Sequence, residues 1–168
     1  MKKNNIYLYI VEGDCEEHAL TFLKNNYVQS GKVLRLNPLQ KEISQMILRN
    51  LKENTIAILI FDTDTLDGTE VLEKNKKILK RSKQIKDIIL VPQVKNFEEE
   101  LIRACNIKKI EEFTKSKSKK DFKRDFLSNK NLPNLFQKNN FNISKFWIGT
   151  PTGLYKNLEN QSFKIKLI

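Results

Sequence analysis

The chain has 168 residues, 39% of them hydrophobic and 30% charged, which predicts one soluble domain with a buried core and leaves little room for a second catalytic module. The longest apolar runs fall far short of the roughly 20 residues that span a bilayer, and the short run at 6–11 does not make a signal-peptide core, so a cytoplasmic protein with no membrane partner is expected. Two cysteines, Cys15 and Cys105, cannot build a zinc ribbon or a disulfide framework and read as buried free thiols. The formal charge of +11 suggests a polyanionic partner, with nucleic acid foremost, because basic surfaces gain affinity for phosphate backbones through counterion release.

Residues 6–11 are β-branched and aromatic and stop at Glu12-Gly13, which predicts a first core strand. Asp14 is placed to cap the helix that follows, whose apolar positions Ala19, Leu20, Phe22, Leu23 and Tyr27 recur at helical spacing. A second strand is expected at 33–36, closed by Asn37-Pro38, and Ile43, Ile47, Leu48 and Leu51 predict a second helix. Residues 56–61 are six unbroken apolar positions that run into Asp62-Thr63-Asp64, the pattern of a strand buried on both faces with acids at its carboxyl end. If the segment stays extended, Asp62 and Asp64 share one face and can hold one cation between them.

A turn at 66–69 leads to a lysine-rich helix at about 70–82, with Val71, Leu72, Ile78 and Leu79 inward. Residues 88–91 predict a strand broken by Pro92, after which Asn96 caps a short helix carrying Glu98 on its first turn. Alternating strands and helices predict an α/β fold, a parallel sheet with helices on both faces, and ligands gather outside the carboxyl ends of such strands. The basic run Lys115, Lys117, Lys119, Lys120 precedes a helix marked by Phe122, Phe126 and Leu127 with Lys123 and Arg124 outward. Residues 131–142 read as a loop around a helical turn, and 163–168 alternate apolar and basic like an edge strand. His18, Phe146, Trp147 and Tyr155 read as packing residues, and Asp67 as a secondary ligand at most.

Glu12-Gly13-x-x-Glu16 after a first strand and Asp62-x-Asp64 after a third resemble the Toprim domain, and the segment around Asn96-Phe97-Glu98 is similar to one in RloB-like proteins. The closest form of the first motif is that of OLD-family and RloB-like nucleases. The resemblance implies a Toprim-like, Rossmann-like core over 1–105, with 106–168 as a basic helical extension packed on it in a single domain. It implies a phosphodiesterase that uses Mg²⁺ or Mn²⁺, as one ion or two. Glu12, Glu16, Asp62, Asp64 and Glu98 would be metal ligands, with Glu12 also the general acid or base. Lys119 or Lys120 would stabilise the scissile phosphate, and Lys115, Lys117, Lys119, Lys120, Lys123 and Arg124 would contact DNA or RNA.

The implied setting is phage defence or conflict with mobile elements, in which a separate ATPase partner is expected because this chain has no Gly-x-x-x-x-Gly-Lys-Ser/Thr loop; a homodimer stays open. A non-catalytic Toprim-like binding subunit is the alternative. A haloacid-dehalogenase phosphatase fails on register, since Thr65 directly follows Asp64 instead of being spaced from it.

Overall fold

The computed structural model describes residues 4–167. Four strands, β1 (Ile6–Val11), β2 (Gly31–Arg35), β3 (Thr55–Asp62) and β4 (Ile85–Gln93), form one sheet in the order β2-β1-β3-β4, every pair parallel. Alternation along β3 divides its side chains: Ile56, Ile58 and Ile60 enter one hydrophobic cluster, Ala57, Leu59 and Phe61 the other. Both faces are covered, so the apolar runs need no polar alternation. The first face carries α1 (Asp14–Leu23) and α4 (Phe97–Cys105), the second α2 (Gln45–Arg49) and α3 (Thr69–Arg81). The chain is an α/β protein with an all-parallel sheet flanked by helices, as the alternation of patterns predicts.

Beyond Cys105 come α5 (Ile110–Thr114), α6 (Lys119–Ser128), α7 (Leu132–Lys138) and three 3-10 turns. Phe113, Phe122, Phe126 and Phe136 are buried in the same cluster as Phe97 and β3, in a contiguous set of edge-on and tilted rings. Each buried phenyl contributes about 1.5–3 kcal/mol. The C-terminal third is thus continuous with the core.

Several local expectations are corrected. Gly13, not Asp14, occupies the N-cap of α1 and makes no side-chain cap; Asp14 is the first helical residue, its carboxylate taken by Arg35. Tyr27 lies beyond the helix, which ends at Leu23. α2 is a five-residue helix capped by Ser44, with Ile43 and Leu51 outside it. Pro92 does not break β4: it pairs opposite Phe61, and the strand continues to Gln93. Gln93 turns its carbonyl to Thr63 on the β3 side while Leu90 bonds outward to Gln161, so Pro92 faces the open edge where its missing N–H costs no ladder bond. Residues 131–142 contain the seven-residue helix α7, with Asn131 as N-cap and Pro133 in its first turn. The tail is not an edge strand: Ser162–Lys164 is a 3-10 turn, Ile165 is fully buried and only Lys166 bridges to Val28. Ile168 lies outside the described residues.

Candidate functional site

At the carboxyl edge the ends of β1 and β3 and the start of α1 bring three of the expected acids together, Glu12, Asp62 and Glu16. Asp62 ends β3 and shares the sheet face of Ile58 and Ile60, the face on which α1 places Glu16. Glu12 leaves β1 and folds over the gap: its carboxylate accepts a bond from the Asp62 backbone N–H at 3.0 Å, and Asn37 hydrogen-bonds its side chain. A Cβ at Gly13 would sit 3.3 Å from the Glu16 carboxylate, so glycine leaves that carboxylate its place. Glu16 is only 5% exposed, with its charge at the amino end of α1 where the helix dipole favours it.

The residue that organises this cluster is Gln93, which sequence reasoning missed. It stands opposite Asp62 in the sheet register, fully buried. Its amide nitrogen donates to Asp62 Oδ1 at 2.6 Å and to Glu16 Oε1 at 3.1 Å, and its carbonyl accepts from the indole N–H of Trp147 at 3.1 Å. The Trp147 bond fixes which end of the amide faces the acids. Trp147 is held in turn through its backbone N–H to Glu100, 2.9 Å, and its carbonyl to Asn160 and Ser162. The only sequence signal was a polar residue at the end of an apolar strand.

The electrostatics are those of crowded carboxylates. Burial is the main cause pushing Asp62 from 3.8 up to about 9, and the charges of Glu12, Glu16 and Asp64 add to it. Burial likewise raises Glu16, with Glu12 and Glu98 contributing, and raises Glu12, with Asp64 and Glu98 contributing. No ion pair among the described residues reaches any of the five acids. Buried like charges without a cation favour the protonated form.

Two expected ligands are set apart. Asp64 lies past the end of β3, exposed, and accepts from the Asn96 side chain at 3.1 Å. It therefore does not share a strand face with Asp62: Thr63 turns the chain by bonding Gln93 and Lys95. Glu98 is half-buried on the first turn of α4, whose N-cap is Asn96 as expected, and acts on Glu12 and Glu16 through its charge. Among the described residues no group of three or more His, Cys, Asp or Glu is arranged to hold a metal ion. The donor chemistry nevertheless fits a hard divalent cation, since every group is an oxygen acid and none of the five is ion-paired to a lysine or arginine among the described residues.

Of the expected nucleic-acid contacts, Lys123 lines the cleft beside Glu12, together with Arg35 and Lys41, which sequence reasoning did not single out. Lys119 and Lys120 are exposed on the first turn of α6 and do not line this cleft. Lys115 and Lys117 are exposed between α5 and α6, and Arg124 is engaged by Asp121 and Asp125. Asp67 offers its backbone carbonyl, not its carboxylate, to the Tyr155 hydroxyl. His18 packs edge-on against Phe126 with its ring nitrogen 3.0 Å from the Asn129 carbonyl, and Cys15 and Cys105 are buried free thiols. The chain matches no family model, no curated protein and no solved structure.

Proposed function

We propose that this chain is a small Toprim-like phosphodiesterase dependent on Mg²⁺ or Mn²⁺, a nuclease acting on DNA or RNA. The observation that carries the reading is the convergence of Glu12, Glu16 and Asp62 at the sheet's carboxyl edge, each raised by burial and by its neighbours' charges. Such a concentration of negative charge is retained where a cation is to be held. Glu12, Glu16 and Asp62 would hold it, with Asp64 and Glu98 close enough to contribute charge. A divalent ion bound there supplies an activated water and steadies a leaving oxygen.

The chain's own part is positional and protonic. Gln93 fixes the Asp62 and Glu16 carboxylates, so their orientation does not depend on solvent. Glu12, raised by burial yet anchored by the Asp62 N–H, is suited to take or give a proton at the scissile phosphate. Lys123 at the cleft adds positive charge where a phosphate would lie, in the role first expected of Lys119 or Lys120. No helix among the described residues is long and apolar enough to cross a membrane, and the reading places the enzyme in the cytoplasm, in phage defence, with a separate ATPase or a second copy as partner.

A second reading, a non-catalytic nucleic-acid- or protein-binding subunit, is favoured by one observation: the Gln93 amide already satisfies Asp62 and Glu16 together. Incubating tRNA, structured RNA, and single- and double-stranded DNA with Mg²⁺, Mn²⁺ or EDTA separates the two. Metal-dependent cutting that disappears in Asp62→Ala supports the nuclease. No cutting of any substrate, with binding indifferent to EDTA and to Asp62→Ala, refutes it in favour of the binding subunit.

A further inference from the structure

At Glu12 lies a cleft of about 520 Å³ whose walls come from three separate parts of the chain: the junction of β1 and α1, the end of β2 with the segment after it, and α6. Arg35, Lys41 and Lys123 line it, with the amide side chains of Asn37 and Gln40 between them. Its volume falls in the range of about 300–1,000 Å³ that encloses a small molecule, which suits a short stretch of one strand and not a duplex.

The cations are available. Asp14 and Glu17 hold Arg35, and Asp14 holds Lys123 at 3.5 Å, but Arg35 and Lys123 are 53% and 62% exposed in their side chains. Exposed pairs of this kind are worth little, about 0–1 kcal/mol each, so an incoming phosphate can displace Asp14 and Glu17 at small cost. A guanidinium then engages it through two parallel N–H bonds. Lys41 makes no ion pair among the described residues.

The wall carrying Lys41 is also rigid. Asn75, fully buried on α3, donates to the carbonyls of Pro38 and Lys41 at 2.9 and 2.8 Å and accepts from the Ile43 N–H at 2.8 Å. Asn37 closes the same turn on Leu39 while its side chain reaches Glu12. Cleft wall and acid cluster are thereby joined.

We propose that this cleft is the track on which the sugar-phosphate backbone of a single nucleic-acid strand is held by Arg35, Lys41 and Lys123 and delivered to Glu12. The inference deepens the nuclease reading and rests on it for the chemistry at Glu12. Of the contacts expected from the sequence it keeps Lys123, and it puts Arg35 and Lys41 in place of Lys115, Lys117, Lys119 and Lys120.

The test is fluorescence anisotropy with a labelled single-stranded oligonucleotide and its duplex, in EDTA over a series of KCl concentrations, using the full chain carrying Asp62→Asn as the parent. Arg35→Ala and Lys41→Ala are each expected to weaken single-strand binding and lower the slope of log K against log salt by about 0.7. Lys52→Ala, an exposed lysine just before β3 at the opposite end of the sheet, is expected to leave both unchanged. Cleft variants that bind like the parent, with cleavage intact when the same substitutions are made in the native chain, overturn the track and spare the nuclease reading. Cleft-dependent binding in a protein whose native form cuts nothing supports the track and sinks the nuclease reading. Duplex bound as tightly as single strand through the same residues overturns the single-strand assignment.

Discussion

Asp62→Asn in the metal-free protein should make it more stable. Asp62 is pushed from 3.8 to about 9 by burial first, then by Glu12, Glu16 and Asp64. In the unfolded chain the carboxyl loses its proton near its ordinary value; in the fold it keeps that proton or bears a repelled charge. The sign follows: a folded pKa raised above the unfolded one gives stability that is complete at acid pH and is lost as pH climbs toward 9. Each pH unit between 3.8 and neutrality removes up to about 1.4 kcal/mol, and because Asp62 titrates in the field of Glu12 and Glu16 the net cost at pH 7 is about 2–4 kcal/mol.

The amide keeps the Oδ1 that accepts from Gln93 and carries no charge. Urea denaturation in EDTA at pH 5, 7 and 8.5 should show the Asp62→Asn protein gaining about 2–4 kcal/mol over the native chain at pH 7, and more at the highest pH. The native protein should recover part of that difference on addition of Mg²⁺, by linkage. A variant no more stable than the native chain at any of the three pH values would refute the claim that these carboxylates repel one another in the fold.

Trp147→Phe should cost about 2–4 kcal/mol in urea denaturation, because the Gln93 carbonyl is left buried without its donor and the smaller ring leaves a void; a loss well under 1 kcal/mol would show that the indole bond is replaceable. Asn75→Ala orphans Ile43 N–H and the carbonyls of Pro38 and Lys41, and should cost at least about 3 kcal/mol in the same assay while weakening oligonucleotide binding through the loosened Lys41 turn. Gly13→Ala places a Cβ 3.3 Å from the Glu16 carboxylate, so cleavage should fall on the order of tenfold with little change in melting temperature; equal loss of stability and activity would mark Gly13 as a folding residue only.

What could be read in the sequence was whatever has a period or a boundary. The apolar runs at 6–11 and 56–61 announced β1 and β3 because a doubly covered strand must be apolar throughout, and the acids that stop those runs fall at the carboxyl edge for the same reason. Asn96 was recognisable as a cap because capping needs only a local bond, here to the Glu99 N–H. Local rules misled where tertiary context decided. Pro92 breaks a ladder only on the side where a neighbouring strand lies, and Asp64 left the face of Asp62 because Thr63 turned onto the chain after Gln93.

Gln93, Asn75 and Arg35 share a different reason for staying hidden: each is a lone polar residue whose partners stand from 18 to 77 positions away, so no spacing records the contact. Gln93 binds Glu16 across 77 positions and Trp147 across 54, which ties the amino-terminal acids to the last quarter of the chain. These bonds run between the expected core over 1–105 and the extension over 106–168 expected to pack on it in a single domain. Trp147 sets the amide that sets Asp62 and Glu16, while α6 brings Lys123 to the cleft beside Glu12. Removing residues 106–168 would take away an indole donor, a cleft wall and the phenyl cluster covering one sheet face at once, and is expected to release the Gln93 amide that holds Asp62 and Glu16.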